Sequence, residues 1–109
     1  MNHGIPPLDP AAMRHAAARA EDLMRVLADS DRLLLLCQLT QGEQSAGALE
    51  GALAIHEPAL SRQLAVLRQE GLVATRRDGE QVFYSVASPE ALAILRALYA
   101  TYCGQEHSS

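Results

Sequence analysis

The thiols of Cys37 and Cys103 are the most reactive side chains that this sequence offers. A thiolate attacks sulfur electrophiles and binds metal ions, whereas a protonated thiol in an apolar segment packs like a small hydrophobic side chain. Cys37 directly follows Leu33–Leu36, so core packing is the simpler interpretation of that residue taken alone. Neither cysteine lies in a Cys-x-x-Cys motif or beside a base that would activate it, which argues against a thiol enzyme.

A cluster of arginines is the second chemical feature of the chain. All nine cationic residues are arginine, and Arg62, Arg68, Arg76 and Arg77 fall within one short stretch. Guanidinium groups hold phosphate oxygens and guanine edges through paired hydrogen bonds. The formal net charge is −4, so the molecule as a whole does not attract DNA, and binding would depend on this local basic stripe.

Signals for helix starts recur along the chain, each a polar capping residue or a proline in the first turn. They predict five helices, which begin near Asp9, Asp29, Ser45, Pro58 and Ser88. The second helix is predicted over residues 32–40, and we expect it to be buried on most faces because Leu33–Leu36 are all apolar. Two β-rich runs, 72–76 and 81–86, flank the turn residues 77–80 and predict a hairpin.

The order of these elements predicts a mainly α fold with a small antiparallel β-hairpin, namely a winged helix-turn-helix. A short third helix, a tight turn and a fourth helix with a polar outer face form the helix-turn-helix. The hairpin that follows is the wing, which reaches adjacent phosphates while the helix enters the major groove. Double-stranded operator DNA is therefore the predicted partner. Candidate base and phosphate contacts are His56, Ser61, Arg62 and Gln63, with Arg76 and Arg77 at the base of the hairpin holding the DNA backbone.

The chain has the length of a single domain. We expect a flexible N-terminal arm over 1–8, a DNA-binding and dimerisation domain over 9–104, and a flexible tail over 105–109. No apolar run approaches the roughly 20 residues that cross a bilayer, so no membrane partner is expected. We expect a cytoplasmic protein whose cysteines stay reduced, and a non-enzyme because so short a domain has little room for a substrate pocket.

Residues 20–103 resemble the ArsR/SmtB family of winged-helix repressors. The most specific stretch is PALSRQLAVLRQEGLV at 58–73, followed by TRRDG at 75–79 and FYS at 83–85. The segment LADSDRL at 27–33 matches the start of the family's second helix. The resemblance implies a homodimer in which the first and last helices form a helical interface and two recognition helices face one turn of operator DNA.

The metal-binding patterns of that family are missing from this sequence. Residues 46–51 read AGALEG where metal sensors carry a Cys-x-Cys pair, and the last helix lacks the Asp-x-His arrangement. The pair Cys37 and Cys103, with Tyr102 before the second cysteine, is similar to the sulfide- and persulfide-responsive subgroup typified by BigR and SqrR. The resemblance implies that reactive sulfur species link the two thiols and release the repressor from genes for sulfide oxidation or detoxification, with no metal or cofactor.

Three alternatives stay open on the sequence. The same cysteines would serve a repressor that senses a metal, an arsenical or an oxidant. A constitutive winged-helix protein with inert thiols and a thiol enzyme are the others. His107 completes a metal site with Cys103 only if the last helix continues beyond that residue. Arg32 and Arg96 would lower the pKa of a thiol that lies close to them.

Overall fold

The fold is described by a computed structural model for Pro7 and residues 9–103. The expected tail, with His107, and the expected arm apart from Pro7 lie outside the described residues. The elements in chain order are α1 Pro10–Leu27, α2 Ser30–Leu39, β1 Gln44–Ser45, α3 Ala46–Leu53, α4 Ala59–Gln69, β2 Val73–Asp78, β3 Gln81–Val86 and α5 Pro89–Tyr102.

Side-chain caps start four of the helices where the sequence predicts them. In each case a carboxylate or hydroxyl oxygen accepts a hydrogen bond from the backbone N–H three residues later, which satisfies a donor that has no partner inside the helix. The caps are Asp9, Asp29, Ser45 and Ser88. Helix α2 begins at Ser30, before the predicted start at residue 32, because Asp29 itself is the cap. Helix α4 begins after Pro58 without a side-chain cap from that residue.

The wing is a three-stranded antiparallel sheet in the order β1–β3–β2, so the predicted two-stranded hairpin gains a short third strand. Gln44 and Ser45 pair with Tyr84 and Phe83 on β3. Strand β1 was not predicted because two residues are too few to show the alternation of polar and apolar side chains that marks a strand.

The arginines of the wing lie near its tip, and their predicted place at its base is wrong. Strand β2 continues to Asp78, which pairs with Gln81, so Arg77 belongs to the strand. The connection needs only Gly79 and Glu80, and Gly79 has a φ of +65°, as at the first central residue of a type II′ turn.

Leucines from all five helices form the core. The side chains that are fully buried are Leu35, Leu36, Leu49, Leu60, Leu67 and Leu95. Leu34 is 46% exposed, so the expectation that α2 is buried on most faces does not extend to this side of the helix. Four consecutive residues sweep most of a helical turn, and no element among the described residues covers the side that carries Leu34.

The two terminal helices leave apolar surface uncovered. Only Val26 and Leu27, at the end of α1, are buried in that helix. The exposed large side chains of these helices are Met13 (48%), Met24 (44%), Tyr99 (45%) and Tyr102 (72%). Exposed methionine and tyrosine side chains of this kind are enriched in protein interfaces. Among the described residues, no helix combines the length and hydropathy needed to cross a membrane.

Two leucines of α2 test this assignment of the core. Leu36→Ala should lower the free energy of unfolding by about 2–5 kcal/mol, because it leaves a cavity in the core. Leu34→Ala makes the same chemical change on the exposed side and should lower it by less than about 1 kcal/mol. Urea denaturation at one fixed protein concentration measures both, and equal losses would contradict the assignment.

Candidate DNA-binding surface and cysteine pair

The outer face of α4 and the loop before it carry the predicted base contacts. Arg62 is exposed and, within the described residues, its guanidinium has no ion pair or hydrogen bond. Ser61 is also exposed, but its N–H and Oγ–H both donate to the carboxylate of Glu57, at 3.1 and 2.8 Å. His56 lies 3.1 Å from a carboxylate oxygen of Glu50, in a pair whose imidazole is 70% exposed. The three predicted contacts therefore comprise one unpaired cation and two polar groups that acidic neighbours hold in place.

Gln63 differs from the other predicted contacts on α4 because it is half-buried. Its side-chain oxygen accepts a hydrogen bond of 3.0 Å from Arg32, and its NH₂ group donates to Asp29 at 3.4 Å. Both partners belong to the start of α2. The amide of Gln63 is thus turned toward the body of the protein, while Arg62 is turned toward solvent.

Arg76 is held by an acidic residue of the loop before β1. Its guanidinium donates two hydrogen bonds of 2.8 Å to Glu43 and lies 4.9 Å from the ring centre of Phe83, its cross-strand neighbour. Hydrogen bonding to Arg76 lowers the pKa of the Glu43 carboxyl, and the same contact raises the pKa of Arg76. Arg77, the next residue, is exposed and unpaired among the described residues. The two wing arginines therefore have different surroundings, and Arg77 is the one whose charge is not offset by a contact.

A groove between α4 and the wing contains residues that the sequence analysis did not select. Its volume is about 480 Å³, and its lining residues are Ser61, Leu64, Ala65, Arg68, Gln69 and Tyr84. The guanidinium of Arg68 is exposed and has no ion pair in the described part of the chain. The spacing of Ser61 and Arg68, seven residues apart on one helical face, was a signal for this arrangement. Tyr84 joins the groove only through the packing of β3 beside α4.

The two cysteines lie on helices that pack against each other. Cys37 is half-buried beside the core, on α2, and Cys103 is exposed at the C-terminal cap of α5. Burial raises the pKa of the Cys37 thiol, and the negative charge of a Cys103 thiolate raises it further. Arg32 is not among the causes of this shift, and its side chain bonds Val26 and Gln63. Arg96 is exposed on α5 and is not among the causes of the shift.

The described residues do not form a metal centre of the usual kind. In the range 9–103, no three side chains of the His, Cys, Asp or Glu type are grouped so that they could hold an ion. The two thiols thus have no third protein ligand from this part of the chain.

The sequence pattern described as "Bacterial regulatory protein, arsR family" matches residues 29–75, which run from the cap of α2 into β2. The chain is also 45% identical, over 97 residues, to the biofilm growth-associated repressor of Agrobacterium fabrum, an alignment that covers 89% of this chain and 83% of the relative. The chain belongs to the ArsR family. It is accordingly a DNA-binding transcription regulator and not an enzyme.

Solved structures of ArsR-family regulators share the whole architecture. The regulator HlyU from Vibrio vulnificus superimposes with a TM-score of 0.84 at 36% identity, covering 88% of this chain and 100% of that one. The transcriptional repressor BigR from Xylella fastidiosa gives 0.82 at 38% identity, covering 88% and 98%. The winged helix-turn-helix predicted from the sequence is confirmed, as is the resemblance to the BigR-like members of the family.

The contact between Glu43 and Arg76 predicts a pH dependence. A carboxyl whose pKa is lowered on folding stabilises the folded state above its usual pKa near 4.5, and this contribution is lost as the pH falls through the lowered value. Titration of the Glu43 side-chain carbon by NMR should give a pKa below 4.5. Arg76→Ala should return it toward the usual value, while Arg77→Ala, one residue away, should leave it unchanged. The same shift in both variants would contradict a specific pair.

The two thiols should differ in reactivity. Iodoacetamide should modify Cys103 before Cys37, because Cys103 is exposed, whereas Cys37 is half-buried with a raised pKa and so has less thiolate at neutral pH. The alkylation rate of Cys37 should still be rising at pH 9. Peptide mass spectrometry of time points measures both rates, and protein in concentrated urea is the control in which the difference should vanish. Equal rates in the folded protein would contradict the assigned surroundings.

Proposed function

We propose that this protein is a dimeric repressor that leaves its operator when reactive sulfur species link Cys37 to Cys103. The observation that carries the proposal is the pair of thiols on the packed helices α2 and α5, where burial and the charge of Cys103 raise the pKa of Cys37. Helix α5 also carries uncovered aromatic side chains, so a link from α2 to α5 would act at a surface suited to dimerisation. The relative from Agrobacterium fabrum bears the name of a repressor, which supports the direction of regulation.

In the proposed complex, α4 enters the major groove and the wing follows the adjacent backbone. Arg62 and Ser61 reach base edges, and His56 contacts a phosphate at the start of the helix. Arg77 binds phosphate at the wing tip, while Arg76 keeps the wing in place through Glu43. Arg68 contributes a further phosphate contact from the groove between α4 and β3.

Dimerisation through α1 and α5 would cover the apolar surface that a single chain leaves open. Met13 and Met24 on α1, with Tyr99 and Tyr102 on α5, are large side chains of the kind that interface cores contain. A two-fold dimer presents two copies of α4, and these read half-sites when they lie about 34 Å apart, one turn of DNA. A change in that separation lowers operator affinity without altering the reading helix.

The linking chemistry needs an organic persulfide as the sulfur donor. A cysteine thiolate attacks the outer sulfur of the persulfide and releases the carrier thiol, which lengthens the side chain by one sulfur atom. After a second such transfer, the other thiolate attacks the penultimate sulfur and expels hydrosulfide, which closes a trisulfide. A direct disulfide requires Cα atoms within about 7 Å, whereas added sulfur atoms extend the reach of the bridge. Selectivity for persulfide over peroxide would follow from that geometry.

Single arginine variants test the DNA-binding surface. Arg62→Ala should weaken operator binding by about 1–3 kcal/mol and leave binding to random DNA almost unchanged, because a base contact is lost. Arg77→Ala and Arg68→Ala should weaken binding to both DNAs and reduce the slope of log K against log salt by about 1 each. Arg14→Ala removes the same charge from α1 and is the control. An unchanged salt slope in the wing variant would exclude the phosphate contact.

Intact-mass spectrometry tests the sensor. The reduced protein should gain an intramolecular link that retains extra sulfur after treatment with an organic persulfide, and the linked dimer should leave its operator in a gel-shift assay. Cys37→Ser and Cys103→Ser should each abolish both effects. A plain disulfide after peroxide would favour an oxidant sensor, and tight stoichiometric binding of zinc or arsenite would favour a metal or arsenical sensor. No response to any of these reagents would leave a constitutive repressor.

A further inference from the structure

Arg32 connects three helices through one half-buried guanidinium. Its side chain is 19% exposed and lies at the start of α2. The Nε–H group donates a hydrogen bond of 2.7 Å to the carbonyl of Val26, in the last turn of α1. The Nη1 group donates a hydrogen bond of 3.0 Å to the side-chain oxygen of Gln63 on α4. One side chain therefore contacts the end of the proposed dimerisation helix, its own helix and the proposed recognition helix.

Asp29 closes this contact into a ring. Its Oδ1 atom accepts hydrogen bonds from the backbone N–H of Arg32 at 3.1 Å and from the NH₂ group of Gln63 at 3.4 Å. Its other oxygen lies 3.7 Å from the guanidinium of Arg32. We refer to Asp29, Arg32 and Gln63 as the α1–α2–α4 ring. Each member contacts the other two, so the loss of one side chain removes two of the three pairwise contacts.

We propose that Arg32 and Gln63 are positioning residues, which set the orientation of the recognition helix relative to α1 and so the separation of the two recognition helices in the dimer. The proposal rests on the proposed function, since it takes the dimer and its operator as given. The position of Gln63 in α4 predicted a contact with DNA. In this proposal its amide instead bonds Arg32 and Asp29 and does not reach a base edge.

The core alone does not supply this restraint. Leu60, Leu64 and Leu67 hold α4 against the body of the protein, but apolar packing has no preferred direction and resists rotation about the helix axis weakly. Hydrogen bonds are directional, and their strength falls steeply with misalignment. The planar fork of Arg32 is suited to holding a carbonyl and an amide oxygen at once, which a lysine ammonium does less well.

The length of α1 makes its orientation important, because a small tilt at one end of a long helix moves the other end a large distance. Helix α1 begins at Pro10, so at 1.5 Å per residue its far end lies about 24 Å from Val26. A tilt of about 10° at the ring would displace that end by about 4 Å, which is large compared with the tolerance of a half-site spacing. Cys37 lies on the same helix as Arg32, and a sulfur bridge that shifts α2 would act on the ring directly.

The DNA test uses Arg32→Lys and Gln63→Met, alone and together, on an operator selected by wild-type protein from a random DNA library. Each single variant should lose about tenfold in operator affinity, and the double variant should lose little more than either single, because each substitution already opens the same ring. Discrimination at every base pair should stay as in wild type. The loss of operator affinity that follows the insertion or deletion of one base pair between the half-sites should be smaller for these variants than for wild type. Arg62→Met, on the same helix but outside the ring, should be additive with Arg32→Lys and should relax the preference at a base pair.

A second measurement does not depend on DNA. Spin labels at Gln69→Cys, in protein that also carries Cys37→Ser and Cys103→Ser, report the distance between the two α4 helices by pulsed electron resonance. Gln63→Met and Arg32→Lys should each broaden or shift the distribution of label-to-label distances, which should be narrow in the labelled protein that carries neither substitution. Circular dichroism confirms that each variant is folded, and Arg32→Lys is the conservative change if Gln63→Met unfolds the protein.

The results of these experiments distinguish a failure of the positioning role from a failure of the proposed dimeric repressor. Relaxed preference at one base pair in Gln63→Met, with additive losses in the double variant, would overturn the proposal and make Gln63 a base-reading residue. Unchanged spacing preference and an unchanged distance distribution in both variants would also overturn it. Absence of any dipolar signal in the labelled parent protein would instead show that the chain does not dimerise, and this would contradict the proposed function.

Discussion

The buried face of α2 is the constraint on which the other elements depend. This ten-residue helix packs against α1, α3, α4, α5 and the wing strand β3. Leu35, Leu36 and Leu39 are buried between these neighbours, so the other elements are all positioned by contact with this one helix. The same helix carries Arg32 at its start and Cys37 near its end. The element that organises the core is therefore also the one through which a thiol modification would reach the DNA-binding surface.

Local charge, and not the charge of the whole molecule, shapes the proposed DNA-binding surface. Carboxylates offset some of the basic stripe: Glu43 holds Arg76, and Glu57 occupies the donors of Ser61. Arg62, Arg68 and Arg77 are left exposed on α4 and the wing tip. A chain with a net charge of −4 thus still presents three unpaired guanidinium groups on α4 and the wing, where screening by salt limits their attraction to nearby phosphates.

Short-range signals explain why most of the architecture was predictable. A cap such as Asp29 or Ser88 acts on a donor three residues away, and the Asp78-Gly79 pair acts on its own turn, so the sequence contains both partners of each interaction side by side. The period of Leu60, Leu64 and Leu67 identifies the inner face of α4 for the same reason. Strand β1 is too short to give such a signal and was not predicted, and the exposure of Leu34 depends on which neighbours pack against α2.

The helix starts, the wing, the inner face of α4 and the ArsR-family resemblance could therefore be predicted, because each depends on residues that are close together along the chain. Which polar side chains are engaged by other protein groups could be seen only in the folded structure. Gln63 meets Arg32 across 31 positions, Arg76 meets Glu43 across 33, and both partnerships depend on how helices and strands pack. The raised pKa of Cys37 likewise comes from burial and from a thiol on another helix. Contacts between residues far apart in sequence leave no periodic pattern, so their chemistry becomes visible only once the chain is folded.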